Sequence, residues 1–351
     1  MTTQSYKYSQ PFELESGYVF PELEIGYHTY GQLNEKGDNV VWVCHALTAN
    51  SDVLDWWKGL FGEGEYFDPA KHFIVCANVL GSAYGTTNPL SINPVTGQPY
   101  YLNFPNISIR DMVKAHQLLA QHLNIKTIEV LIGGSLGGAQ AVEWSIIDPS
   151  FIKNNILIAT SARNSAWGIA FNESQRLAIT ADETYYNGTD EAGQKGLKAA
   201  RSIALLSYRG YKTYEISQKE ESDDVVDNFR ASSYQSYQGD KLVKRFNAYS
   251  YWHITKSMDS HNVGRHRGGV DKALSSIKTN TLVVGIKSDL LFPIEEQQFL
   301  SKHIPNASYA EFDSYYGHDG FLIETEILTQ IITTFLTTDT KGQVIQLEQI
   351  A

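Results

Sequence analysis

The run Ile128-Glu129-Val130-Leu131-Ile132-Gly133-Gly134-Ser135-Leu136-Gly137-Gly138 constrains this chain more than any other stretch. It opens apolar and rich in β-branched residues, the composition of a buried strand. It then meets Gly-x-Ser-x-Gly, with Gly133, Ser135 and Gly137 in the fixed places. A helical pattern from Ala139 to Ile147 follows and stops at Asp148-Pro149, because the residue before a proline avoids helical backbone. A serine on so sharp a turn needs neighbours without side chains on both sides. Its hydroxyl then stands above the sheet edge, and the Leu136 N–H points at the same space. A turn that only packs tightly or binds a phosphate would share the pentapeptide. The strand before it and the helix after it favour a nucleophilic serine.

The rest of the chain supplies the sheet that such a turn needs. Val40–Cys44 and Phe73–Ala77 are short apolar runs that read as buried strands, as do Asn155–Ala159, Thr281–Ile286 and Tyr309–Phe312. Two earlier strands, Tyr18–Phe20 and Glu24–Tyr30, read as an antiparallel pair. Ser108-Ile109-Arg110-Asp111 is a capping-box pattern ahead of a helix with Met112, Ala115, Leu118 and Leu119 at helical spacing. Gly81–Phe104 is loop. After about Trp167 the strand runs give way to helical stretches at Glu173–Ala181, Ala192–Tyr208 and Lys241–Thr255. Strand patterning then resumes, and Pro293 opens a helix to His303. Alternating strands and helices predict an α/β fold with a mostly parallel central sheet covered on both faces. The organisation expected is a core over 1–166, an inserted helical lid over 167–275 and the rest of the core over 276–351.

With 28 Lys+Arg against 39 Asp+Glu, the formal charge of −11 argues against a nucleic-acid partner or an anionic membrane surface. The polar N-terminus lacks a signal core and no run is long enough to span a membrane, so a cytoplasmic location is expected. Cys44 and Cys76 each lie inside an apolar run and read as buried free thiols. No metal site is framed by the sequence.

A serine hydroxyl is a poor nucleophile near neutral pH and needs a base and an orienting acid. On this kind of turn the partners follow in the order Ser, Asp, His. Asp289 lies just past the carboxyl end of a strand and His318 in the loop after the last strand. Alone, Asp289 could cap a helix and His318 could be a surface histidine. Order, position and elbow together favour a triad of Ser135, Asp289 and His318. Asp313 and Asp319 are weaker candidates for the acid, and His45 reads as a structural loop histidine. A tetrahedral intermediate needs donors for its oxygen. Leu136 N–H is one, and the second comes from the loop after Cys44, from Leu47 or Thr48.

These segments resemble the homoserine O-acyltransferases of the α/β-hydrolase superfamily, and most closely the acetyltransferases. The likeness runs from about Tyr27 to Thr325. It includes His45-Ala46-Leu47-Thr48, Asn78-Val79-Leu80-Gly81, Ile109-Arg110-Asp111-Met112-Val113, Glu143-Trp144, Gly317-His318-Asp319, Tyr237-Gln238-Gly239 and Arg245-Phe246-Asn247-Ala248-Tyr249-Ser250-Tyr251. The resemblance implies an α/β-hydrolase fold and a ping-pong reaction. Ser135 would take an acetyl group from acetyl-coenzyme A, a co-substrate and not a bound cofactor. L-homoserine would accept it, in methionine biosynthesis. It implies that Arg201 and Asp319 hold the amino acid, and that a homodimer forms through the lid helices. Succinyl transfer with the same triad and ester hydrolysis with water as acceptor are the alternatives. A succinyl site needs a cation or strong donors, and Arg176, Arg201 and Arg209 of the lid are available to bring a cation near. The chain departs from the family at Ala49, at Thr86-Thr87-Asn88-Pro89 and at Leu136, each a position that could reshape the acyl pocket.

Overall fold

The computed structural model describes residues 3–346. Eight strands form one sheet: β1 Gln4–Tyr8, β2 Leu23–Tyr30, β3 Val40–Cys44, β4 Phe73–Ala77, β5 Ile128–Gly134, β6 Ile152–Ile158, β7 Asn280–Ile286 and β8 Ser308–Phe312. Their spatial order is β1-β2-β4-β3-β5-β6-β7-β8. β2 runs antiparallel to β1 and to β4, and every pair from β4 to β8 is parallel. The carboxyl ends of β3 to β8 therefore open on one edge, which is where function collects in such sheets.

The pleat sorts the strand residues between two cores. Val41, Val43, Ile132, Ile156, Ile158 and Val284 face one side, against Leu328, Ile331, Ile332 and Phe335 of the closing helix. Trp42, Val75, Leu131, Leu157 and Val283 face the other, against Met112, Val113, Leu119, Val142 and Trp144. Strands buried on both faces carry near-continuous apolar runs for this reason. Two long helices, α1 Ile109–His122 and α2 Leu136–Ile147, cover that second face. Ser108 caps α1: its hydroxyl accepts from the Asp111 N–H at 3.2 Å, and the Asp111 carboxylate accepts from the Ser108 N–H at 2.9 Å.

Between β6 and β7 the chain passes through α3 Ala166–Thr180, α4 Gln194–Tyr208, α5 Tyr211–Ser217, α6 Arg230–Val243, α7 Ala248–Asp259 and α8 Val270–Ser275. After β7 come α9 Ile294–His303 and, past β8, α10 Thr325–Thr337.

Two expectations need correction, and one strand is new. Val19–Phe20 does not pair with the following strand. It turns back on Phe12–Glu13 through Gly17, whose φ is +83°, because both Phe12 and Phe20 bury into the core. The polar N-terminus contains β1, an edge strand held by backbone pairing to β2 and not by burial. Lys241–Thr255 is not one helix. Phe246 is buried and breaks the run, and the Asn247 side chain accepts from the Ser250 N–H at 2.7 Å to start α7 afresh.

Candidate active site

The elbow is a strained turn held by close backbone approach. Ser135 has φ +58° and ψ −124° and directly precedes α2. Left-handed backbone of this kind persists at a non-glycine residue only where the surroundings enforce it. A Cβ on Gly133 would lie 2.4 Å from the Gly137 carbonyl, and one on Gly137 only 2.0 Å from the Cys44 carbonyl oxygen. The Ser135 N–H donates to the Ile158 carbonyl at 3.0 Å, and Thr160 Oγ1 donates to the Ser135 carbonyl at 2.9 Å. Leu136 opens α2, so its N–H has no acceptor within the helix.

Asp289 and His318 meet at the same edge. Asp289 Oδ1 accepts from the N–H groups of Leu291 and Phe292 at 2.8 and 2.9 Å, and its Oδ2 lies 2.6 Å from His318 Nδ1. Both side chains are buried. A carboxylate at Nδ1 makes that nitrogen the donor and leaves Nε2 as the free base. Burial alone would lower the pKa of His318. Attraction to and hydrogen bonding with Asp289, assisted by Asp319, outweigh it and hold the histidine above its ordinary value. Phe292, Phe321 and Tyr208 pack around the ring, with centroids 5.4, 5.4 and 5.9 Å away. Asp313, the other carboxylate considered for this role, spends Oδ1 on the Ser314 N–H at 3.0 Å.

His45 is held by both nitrogens. Nδ1 lies 2.8 Å from the Ala46 carbonyl, so it donates, and Nε2 accepts from the Val79 N–H at 3.0 Å. Burial pushes its pKa down to about 4, partly offset by the bond to Ala46. It is a neutral brace for the loop after β3. Gln140, one turn into α2, donates to both the His45 and Leu136 carbonyls at 3.2 Å and so ties that loop to the elbow. Arg245 grips the far side of the loop, donating to the Thr48 carbonyl and, at 2.6 Å, to the Tyr84 hydroxyl.

A cavity of about 500 Å³ opens over this edge. Ser135, Leu47, Thr48, His318, Arg201 and Asp319 all line it. Asp289 sits behind His318. Leu136 faces a second, much smaller recess that shares Ser135 with the cavity. The sequence-predicted residues are thus brought together from five separated parts of the chain. Arg201 has no ion pair among the described residues, and its guanidinium lies 5.4 Å from the Tyr208 ring centroid. Asp319 does have one: Arg209 Nε donates to its Oδ2 at 3.0 Å. Arg176 is not available to the site. It is buried against Asp259 and Glu173, which α7 and α3 present to it. Of the departures from the family pattern, Ala49 lines the cavity and Leu136 the recess, while Thr86–Pro89 touch neither.

The sequence reading passed over Gln140, Tyr208 and the clamp by Arg245. Gln140 left one trace: an amide four residues past Leu136, in a first turn and a half otherwise made of small and apolar residues. Among the described residues no cluster of His, Cys, Asp and Glu could hold a metal ion, and no helix is long and apolar enough to cross a membrane. Cys44 and Cys76 are buried and unbridged.

The strand order and the elbow define an enzyme of the α/β-hydrolase class, and a family profile described as alpha/beta hydrolase fold matches residues 39–325. A homoserine O-acetyltransferase of Cyclobacterium marinum is 49% identical over 335 residues, covering 95% of each chain. Within that class, the chain belongs to the homoserine O-acetyltransferase family. The crystal structure of a homoserine O-acetyltransferase from Bacillus anthracis superposes with a TM-score of 0.87 at 23% identity, covering 97% of this chain and 99% of that one. Esterase E22 superposes nearly as well, with a TM-score of 0.86 at 23% identity over 95% of this chain and all of the other. At that level of identity the likeness is one of fold alone, and the same fold carries both names.

Proposed function

We propose that this chain moves the acetyl group of acetyl-coenzyme A to the side-chain hydroxyl of L-homoserine, through an acyl-enzyme on Ser135, in methionine biosynthesis. The observation that carries this reading is one cavity shared by Ser135 and His318 with opposed charges at Arg201 and Asp319, in a chain of this family. A guanidinium suits the carboxylate of an amino acid and a carboxylate suits its ammonium. A neutral ester would need neither.

In the first half-reaction His318 Nε2 takes the Ser135 proton as Oγ attacks the thioester carbonyl, while Asp289 holds Nδ1–H. The Leu136 N–H and one from Leu47 or Thr48 receive the oxyanion. Collapse expels the thiol with the proton from His318. In the second half-reaction the homoserine hydroxyl gives its proton to His318 and takes the acetyl group. The helices over 167–275 act as a lid that keeps water from the acyl-enzyme, and their exposed face joins two copies into a homodimer. The acetyl preference is supported by the recess against Ser135, which offers no cation to a succinyl carboxylate.

Thiol release from acetyl-coenzyme A should accelerate on adding homoserine, with O-acetylhomoserine as the product by mass spectrometry. Thiol release indifferent to homoserine would mean a hydrolase. A preference for succinyl-coenzyme A above about tenfold in kcat/KM, roughly 1.4 kcal/mol, would reassign the donor. Sedimentation at micromolar concentration as a single chain would remove the dimer.

A further inference from the structure

We propose that the small recess beside Ser135, and not the large cavity, receives the acyl chain, and that Met258 and Ala139 limit that chain to two carbons. The inference rests on the reading that Ser135 is acylated. The recess has Ser135 and Leu136 at its mouth and is walled by Ile109, Ala139, Met258 and Phe292. The space it leaves to the centre of a water-sized sphere is about 10 Å³, room for a small group and little more. A methyl group is that size, and each further methylene is not accommodated without movement.

Its polar members are spent elsewhere. Ser161 Oγ donates to the Arg163 carbonyl at 2.8 Å, and Asn164 Nδ2 to Asp259 at 3.2 Å. His261 Nε2 lies 3.1 Å from the Ser161 carbonyl, and burial holds this histidine below its ordinary pKa, hence neutral. The recess therefore presents an apolar wall to whatever the elbow carries. Two of its walls come from different parts of the chain. Ala139 sits one turn into α2, its N–H on the Ser135 carbonyl at 3.1 Å. Met258 lies near the end of α7, so the helices between β6 and β7 close the recess from above. Phe292 is the poorer target for substitution, because it also stacks on His318.

The test uses p-nitrophenyl acetate, butyrate and hexanoate, which need neither coenzyme A nor homoserine. Ser135 Oγ bonds to the ester carbonyl carbon, its proton passes to His318, and the carbon–oxygen bond breaks to release p-nitrophenolate with the electron pair. The burst of nitrophenolate reports acylation directly. The native enzyme should favour acetate over butyrate by at least about a hundredfold, two methylenes at the roughly tenfold a pocket makes for each at its lower limit. Met258→Ala should erase that preference. Ala139→Val, which fills the recess, should slow the acetate burst by about tenfold. Should Met258→Ala fail to fold, Ala139→Val decides alone. An unmoved chain-length order in folded variants overturns the proposal, and so does the absence of a burst with any ester. Thiol release from acetyl-coenzyme A with and without homoserine separates the two readings. A shifted chain-length order without homoserine-dependent release would keep the recess and sink the transferase. Homoserine-dependent release with an unmoved order would do the reverse.

Discussion

Asp289→Asn is the sharpest test of the proposed triad, because the surroundings of Asp289 dictate how the amide must sit. Oδ1 accepts from two backbone N–H groups, those of Leu291 and Phe292. Only the amide oxygen can replace it there, so the amide NH₂ must take the place of Oδ2 and face His318 Nδ1. Nδ1 then becomes an acceptor and the ring proton moves to Nε2. The base that should receive the Ser135 proton is already protonated. In serine triads the wrong tautomer costs about 10⁴-fold, or about 5.5 kcal/mol of transition-state stabilisation. The pH profile should move as well. Asp289 is what raises the His318 pKa against burial. In the native enzyme, activity should rise with pH through a raised value as His318 loses its proton. In the variant, burial prevails and the limb should shift to lower pH while the plateau collapses. The assay is the nitrophenolate burst from pH 5 to 9, with melting temperature as a control for folding. A loss under about tenfold, or a limb that moves upward, would refute the assignment of Asp289.

Arg201→Ala should weaken the homoserine half-reaction by roughly 2–5 kcal/mol, as loss of a desolvated charge partner does, while the acylation burst survives; equal damage to both would make the arginine structural. Glu143→Ala should lower stability by about 3–5 kcal/mol in denaturant titration, because among the described residues it leaves Arg267 without a carboxylate, and Arg110 with Glu15 alone, at a buried site. The carboxylate pairs with Arg110 at 2.6 Å and with Arg267 at 2.5 Å, and is 3% exposed. Acid should destabilise the protein well before its carboxylates titrate. Burial lowers His45, His116 and His253 to about 4, 3 and 4. As pH falls from about 6.5 towards these values, the unfolded chain binds protons that the native state refuses. Each histidine then removes up to about 1.4 kcal/mol per pH unit. Their stabilisation is whole above pH 6.5 and lost below it. His318, with its raised pKa, acts in the opposite sense and in a different window: its contribution is whole below pH 6.5 and lost as pH rises through the raised value. A melting temperature flat from pH 7 to 4.5 would contradict the neutral burial of the three.

What was legible in the sequence is what local sterics demand. Gly133 and Gly137 could be read because no side chain fits where their backbones meet Gly137 and Cys44. Asp289 and His318 could be read because each follows a strand end, and parallel strands bring their ends to one edge. The illegible parts are those set by long-range pairing. Arg209 and Asp319 are 110 positions apart, and neither carries a local sign that one will occupy the other. β1 is polar and makes its case only through hydrogen bonds to β2. The break before α7 left a readable signal in Asn247, a helix cap three residues ahead of Ser250, but helical spacing across Lys241–Thr255 masked it.

The ion network around Glu143 bears on the reaction through geometry. Arg110 of α1 and Arg267 of the segment after α7 both hold Glu143, and Arg110 also holds Glu15 at 2.5 Å. Arg265 reaches the same Glu15 at 2.8 Å. Five charged residues thus anchor the return from the helical insertion to the N-terminal arm, α1 and α2. Immediately before that anchor lie Met258 and His261, which roof and line the recess beside Ser135. Buried ion pairs are weak evidence for net stability, and their best-attested use is to fix one arrangement among several. Here the arrangement fixed is the distance between Met258 on the insertion and Ala139 on the elbow helix, two elements far apart in sequence that must meet to within a methyl group. A hydrophobic contact alone could slide; a buried carboxylate shared by two guanidiniums cannot do so without stranding a charge. Two of the segments that resemble the family, Ile109-Arg110-Asp111 and Glu143-Trp144, therefore stand on the scaffold that sets the shape of the proposed acyl recess.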